Sequence, residues 1–499
     1  MRALKKTAFL SVAVSAIVLS GCLGGGGGGS DDPVACPTAG TSPSGSTPQQ
    51  QRIDNCAFSV DTAQVNDFEA LPGYPDTERW VGVNEGAGFR IEVPSQWNGQ
   101  LVMWAHGFRG EGSALTVDNP PMREKMLELG YAWAASSYSA NYYDVQAGAV
   151  DTNKLALQFE AITGKSQPDK YLIAGFSMGG HVVGALIEED NKAILAQTNL
   201  DVPYAAAMPM CGVMGATSLF DYFGGYNLAL LQLSDTPATT FPIDDADAKL
   251  VDAREVLWTD YDANKSALGL TQRGQALFPI LQNLTGGERP VFQFTFGEYQ
   301  DLLQGFAGSD GTVDGILNDI GVDTRYIRYR FASPQLEPNM PEDPYTAGLT
   351  NEEAGFNAVI QQATPDSGAN APSANELAPV PEINGEFNIP VLTLHGLGDL
   401  FVPISMQQIY RKRAEANGSG DFLVQRAIRD PGHCEFTTAE INEAFVDLVA
   451  WEQDLVNAKP GGDDLLDPQA MSEASFGCAY TRSDRLVQFG LPTCSSFVQ

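Results

Sequence analysis

The apolar run Tyr171-Leu172-Ile173-Ala174 leads directly into Gly175-Phe176-Ser177-Met178-Gly179. Glycines two residues before and two after a serine let a strand turn sharply into a helix without a Cβ striking the neighbouring strand. Such a turn leaves the Ser177 hydroxyl standing at the top of a sheet, where it becomes a candidate nucleophile. The pentapeptide alone has a bland alternative, a tight glycine turn in an ordinary sheet protein, so its weight depends on partners elsewhere in the chain.

The chain holds four histidines, His106, His181, His395 and His433. A serine on this kind of turn needs an acid and then a base later in the chain. His433, in the turn-rich stretch Arg429-Asp430-Pro431-Gly432-His433-Cys434, follows a probable strand ending near Ile428 and suits the base. The run Ile389 to Leu394 reads as a buried strand, and Asp399 falls just beyond its end, where a carboxylate can fix the imidazole tautomer. Asp430 is the competing acid, but it shares the histidine's own loop, and Asp399 is preferred. A third apolar strand, Leu101 to Ala105, ends in His106-Gly107-Phe108-Arg109-Gly110. The backbone N–H groups of Phe108 and Met178 are the natural donors to a developing oxyanion. His106 and His395 are expected to hydrogen-bond their loops, and His181 to pack against the sheet.

Taken in order, these motifs resemble the α/β-hydrolase superfamily, in particular its secreted serine esterase-like members, over roughly residues 81–458. The resemblance implies a mostly parallel sheet flanked by helices, with Ser177, Asp399 and His433 as catalytic triad. Its members include esterases, lipases, polyester depolymerases and peptidases, so the fold does not choose a substrate. The expected activity is carboxylic ester hydrolysis through an acyl-enzyme intermediate. The alternatives are a serine peptidase with the same triad and a non-catalytic lipid-anchored binding protein. No C-x-x-C spacing, H-E-x-x-H motif or glycine-rich phosphate loop occurs, so neither cofactor nor metal is expected.

The first strand of the domain is expected at Gly88–Pro94 and a further one at Tyr131–Ala135, with Trp97–Gln100 as a hairpin turn into the strand at Leu101, and a helix over Thr152–Ile162. From about Gly212 the strand–helix alternation lapses into helical patterns, too long for a loop. We therefore divide the catalytic domain into residues 56–212 and 386–458, with a large, mainly helical cap insertion over 213–385 and a C-terminal extension over 459–499. Phe220, Tyr222, Phe223 and Tyr226 open the insertion as an aromatic cluster, serving equally as cap core or substrate contact.

Arg2, Lys5 and Lys6 precede the apolar run Ala8 to Leu19, and Leu19-Ser20-Gly21-Cys22 follows. This resembles the lipobox of a bacterial lipoprotein: residues 1–21 would be a signal peptide, Cys22 the lipidated residue, and 22–55 a flexible tether. Leu23 after the cysteine resembles the pattern sorted to the outer membrane of Gram-negative bacteria. The remaining cysteines, Cys36, Cys56, Cys211, Cys434, Cys478 and Cys494, are even in number, which in an exported chain favours disulfides. Six cysteines permit fifteen full pairings; proximity suggests Cys36 with Cys56 and Cys478 with Cys494, and a remaining Cys211–Cys434 bridge would pin the histidine loop. The net charge of −33 argues against nucleic acid as a partner and against a polybasic membrane patch.

Overall fold

A computed structural model describes residues 58–110, 112–307, 321–332, 348–365, 368–372, 375–483 and 485–497. The expected signal peptide and the whole of the tether, with Cys22, Cys36 and Cys56, lie outside the described residues. Eight strands make the main sheet: β1 (Glu78–Asn84), β2 (Ala87–Val93), β3 (Gln100–Ala105), β4 (Ala132–Ser136), β5 (Lys170–Phe176), β6 (Tyr204–Met210), β7 (Val391–Gly396) and β8 (Leu423–Ile428). Their spatial order is β1-β2-β4-β3-β5-β6-β7-β8. Strands β1 and β2 pair antiparallel, as do β2 and β4, and every other neighbouring pair is parallel. This is the α/β-hydrolase architecture, with a large helical insertion between β6 and β7.

The central strands are apolar almost throughout because helices cover both faces. Successive side chains alternate between two cores: Leu101, Met103 and Ala105 of β3 enter one, and Val102 and Trp104 enter the other. Helices α1 (Val145–Leu157), α2 (Met178–Ile187), α3 (Ser218–Leu233) and α4 (Ser405–Ala416) cover the first core, and α5 (Thr438–Gln453) covers the second. A capping box of Thr437 and Glu440 starts α5.

Three local expectations are corrected. Trp97–Gln100 is not a hairpin turn, because β4 lies between β2 and β3 and the chain crosses over rather than doubling back. Two strands precede Gly88: the two-residue Ser59–Val60, paired with Ala114–Leu115, and β1. As a partly exposed edge strand, β1 lacks the continuous apolar run that marks a central one. The helix expected from Thr152 begins at Val145, where the Asp144 carboxylate accepts from the Ala147 N–H at 2.8 Å, and it ends at Leu157.

The insertion shares the first core with the sheet rather than forming one of its own: Phe220, Phe223, Leu281, Phe296 and Leu303 cluster with Met178, Val182 and Met406. Its return to the sheet is tied down by one buried carboxylate. Glu188, just past α2, accepts from the N–H groups of Gly385 and Glu386, both at 2.9 Å. At the far edge of the sheet the C-terminal extension covers β8, with the Asp463 N–H donating to Gln425 O at 2.7 Å and its carboxylate accepting from Ala427 N at 2.8 Å. Cys478 and Cys494 are bonded within that extension.

Burial raises the Glu188 pKa from its ordinary 4.5 to about 7, against the opposing effect of its backbone donors and Arg413. A raised carboxyl pKa means that the folded state binds the proton more tightly. Its contribution to stability is therefore complete below 4.5 and is lost as pH rises through about 7. The Tm of the wild-type protein should fall relative to that of Glu188→Gln across this window; parallel Tm–pH curves would show that Glu188 carries no such linkage.

Candidate active site

The turn at Ser177 is built by close backbone contact. A Cβ on Gly179 would stand 2.1 Å from the Ala105 carbonyl oxygen, and one on Gly175 would stand 2.5 Å from the Gly179 carbonyl oxygen. Only glycine lets α2 start this close to β3 and β5. Ser177 itself takes φ 56° and ψ −121°, a conformation that costs a non-glycine residue of order 1–3 kcal/mol. Its N–H donates to Met210 O on β6 at 3.0 Å, which locks the turn to the sheet.

The loops after β7 and β8 bring the two partners to that hydroxyl. His433 Nε2 lies 2.8 Å from Ser177 Oγ, and His433 Nδ1 lies 2.5 Å from Asp399 Oδ2. The second carboxylate oxygen, Oδ1, is already engaged by the N–H groups of Phe401 at 2.9 Å and Val402 at 3.0 Å. With Nδ1–H donated to Asp399, Nε2 is left as the acceptor facing the serine O–H, and this tautomer can take the hydroxyl proton. Ser177 and His433 are each only 3% exposed and Asp399 is fully buried, so the pairings operate largely out of water. Asp430 does not reach the ring: it accepts from Gly432 N at 2.8 Å and pairs with Arg485 at 3.3 Å. Burial pushes its carboxyl up to about 7.

The loop after β3 runs beside the serine, for a Cβ on Gly107 would stand 3.2 Å from Ser177 Cβ. Phe108 follows it and is buried, while Met178 opens α2, where backbone N–H groups lack partners within the helix. Behind this loop His106 stacks on Tyr138 with ring centroids 3.8 Å apart, donates from Nε2 to Ser137 O at 3.0 Å and accepts from Arg109 at 3.1 Å. Burial and the neighbouring guanidinium push its pKa down to about 3, so it serves as a neutral brace. His395 donates to Val402 O at 2.7 Å across the acid loop, with its pKa pushed down by burial to about 4. His181 departs from expectation. Rather than only packing on the sheet, it accepts from the Tyr143 hydroxyl at 3.0 Å and donates to Pro381 O at 2.8 Å, linking α2 to the returning end of the insertion.

Cys211 and Cys434 are joined, with Cα atoms 5.4 Å apart and 223 residues between them in sequence. The bridge ties the end of β6 to the residue after His433. Phe401 meets the imidazole edge-on at 5.2 Å between ring centroids, and in turn stacks with Phe223 and Phe306 of the insertion. Phe220, Tyr222, Phe223 and Tyr226 are all buried in the core that the insertion shares with the sheet. A depression of about 620 Å3, lined by Arg411, Asp421, Gln425, Lys459 and Asp463, lies at the amino end of β8, opposite the end that leads to His433. Residues that carry no motif also reach these loops: Phe306 stacks with Phe401, Arg289 donates to Leu397 O at 2.7 Å and the Tyr299 hydroxyl to Pro431 O at 3.2 Å.

No family model matches the chain. It is similar to an o-phthalyl amidase of Xanthobacter agilis, 23% identical over 411 residues that span 74% of this chain and 86% of the relative. Among solved structures it is similar to feruloyl esterase B of Aspergillus oryzae, at 12% identity and a TM-score of 0.39 over 78% of this chain and 84% of that one. The rice cell wall degrading esterase LipA of Xanthomonas oryzae matches at 13% identity and a TM-score of 0.32, over 76% and 89% of the two chains.

Breaking the bridge beside His433 should free its loop. A disulfide closing so long a loop contributes about 2–5 kcal/mol, so Cys211→Ala with Cys434→Ala should lower Tm. Mass mapping of the native protein should recover the two cysteines in one crosslinked peptide. Recovery of either as a free thiol would rule the bridge out.

Proposed function

We propose that the protein is a serine hydrolase that cleaves carboxylic esters through an acyl-enzyme intermediate. The observation that carries this reading is the array of Ser177 Oγ, His433 Nε2 and Asp399 Oδ2, linked at 2.8 and 2.5 Å on a strained strand-to-helix turn. His433 takes the Ser177 proton as Oγ attacks the ester carbonyl carbon. Asp399 holds the ring in place and stabilises the imidazolium that forms. The backbone N–H groups of Met178 and Phe108 receive the developing oxyanion. The imidazolium then returns its proton to the departing alcohol, leaving an acyl group on Ser177. A water deprotonated by His433 attacks that acyl group, releasing the acid and restoring the serine.

Amide hydrolysis is the second reading, favoured by the similarity to a protein named o-phthalyl amidase. The same residues would serve, with the imidazolium protonating a leaving amine. Paired ester and amide substrates with the same acyl group separate the two: turnover of the amide alone would sink the esterase assignment. For either reading, a fluorophosphonate probe should label the wild-type protein and fail to label Ser177→Ala, whose kcat should drop by about 1,000-fold or more. An unlabelled wild-type protein would refute the serine mechanism itself.

We further propose that the protein is exported and held at the cell envelope, in the outer membrane of a Gram-negative bacterium, by a lipid on Cys22. The pattern Leu19-Ser20-Gly21-Cys22 behind a basic and then apolar leader supports this. Expression in a Gram-negative host with an alkyne-tagged fatty acid should label the wild-type chain and leave Cys22→Ala unlabelled; equal labelling of the two would reject the anchor.

A further inference from the structure

Three buried side chains of the insertion end on backbone carbonyls of the loops that carry Asp399 and His433. Arg289 Nε donates to Leu397 O at 2.7 Å, the Tyr222 hydroxyl to Leu400 O at 2.9 Å, and the Tyr299 hydroxyl to Pro431 O at 3.2 Å. Leu397 and Leu400 bracket Asp399, and Pro431 stands two residues before His433. These carbonyls belong to loops rather than to the sheet ladder, so in a site closed to water a donor from another element best satisfies them. The two loops also bond to each other, through Leu397 N to Ile428 O at 2.8 Å and Gly398 N to Asp430 O at 2.9 Å. They therefore form one unit, and the insertion holds it at three points.

The donors are themselves committed to the insertion. Arg289 is 5% exposed, gives its remaining guanidinium bonds to Gly287 O at 2.8 Å and Thr285 Oγ1 at 3.2 Å, and lies over the Phe292 ring at 4.9 Å. Tyr222 lies on α3 and is fully buried; Tyr299 follows the helix at Phe292–Glu298. A shift of the insertion thus cannot leave the acid and base loops where they are without stranding buried donors and acceptors, each at a cost of about 1–3 kcal/mol.

We propose that Tyr222, Arg289 and Tyr299 are positioning residues: seating of the insertion sets the register of Asp399 and His433 against Ser177, so that covering the site and aligning its acid–base pair are one event. The inference rests on the serine hydrolase reading above. It concerns the insertion's part in the chemical step, distinct from any part in holding substrate.

The test compares hydroxyl deletions that differ only in what the hydroxyl reaches. Tyr222→Phe and Tyr299→Phe each remove a bond onto a triad loop. Tyr329→Phe removes an equally buried bond, to Gly225 O at 3.0 Å, that stays within the insertion. With p-nitrophenyl acetate, a substrate too small to need an acyl pocket, Tyr222→Phe and Tyr299→Phe should lower kcat by about ten- to a hundredfold with KM within about twofold. Tyr329→Phe should keep kcat within about twofold of wild type. Equal losses in all three, or wild-type kcat in the first two, would overturn the proposal and leave these residues as packing. If one of the two tyrosine variants does not fold, the other and Arg289→Lys, which keeps the charge but not the fork of donors, read out the same kcat against KM split. The fluorophosphonate reaction of the wild-type protein is run alongside, because its failure would strike the serine hydrolase reading rather than this inference.

Discussion

The close approach of α2 to β3 is the constraint from which the rest of the site follows. Gly179 sits against the Ala105 carbonyl at a distance no side chain would permit, and this contact forces the chain to reverse within two residues of the strand end. Ser177 absorbs the reversal in a left-handed φ that an unconstrained serine would leave. The Met210 carbonyl on β6 and the hydrogen-bonded start of α2 hold it there from both sides. The strain is thus sustained by the buried sheet, whose two cores meet only across rigid strands. A hydroxyl raised this way has its side chain clear of the strand and free to face a base from another loop.

His433 arrives through parallel-strand geometry. Strands β5, β6, β7 and β8 lie side by side and point the same way, so the residues after their carboxyl ends gather at one rim. Ser177, Cys211, Asp399 and His433 are four such residues, drawn from positions spread over more than half the chain. The bridge between Cys211 and Cys434 and the bonds of Asp399 Oδ1 to its own loop remove the freedom these loops would otherwise keep.

Much of this was legible because the relevant features are local. An apolar run followed by glycines flanking a serine, and a strand ending in His-Gly before Asp399, are each written in a few consecutive residues. Strand order is not. The placement of β4 between β2 and β3 depends on a crossover, so Trp97–Gln100, with its turn-forming Asn98-Gly99, looked like the bend of a hairpin that the sheet does not contain. The edge strand β1 carries only a weak signal in sequence because Val81 and Val83 alternate with Gly82 and Asn84 and remain partly exposed. The bonds from Arg289 and Tyr299 span 108 and 132 residues and belong to no motif, so only the fold can bring them to the acid and base loops. His181 shows the same limit: its place on α2 was readable, while its partner Pro381 lies 200 residues away.

The insertion also sets the medium in which the site works. Phe401 meets the His433 ring edge-on and stacks with Phe223 and Phe306 of the insertion, and Asp399 is buried with the imidazole. In the proposed reaction, excluding water would strengthen the Asp399–His433 pairing once the imidazole is protonated, because less dielectric screening remains between the two groups. It would also remove the reorganisation that mobile water would demand as charge moves, in that reaction, from the hydroxyl to the imidazole and the oxyanion. The same enclosure would leave an unpaired imidazolium costly, so the proposed proton transfer calls for a carboxylate already fixed by backbone donors, as Asp399 is. A roof of aromatic rings and a carboxylate with one oxygen pre-engaged are therefore two halves of one arrangement: the first makes the electrostatics strong, and the second gives that strength a single direction.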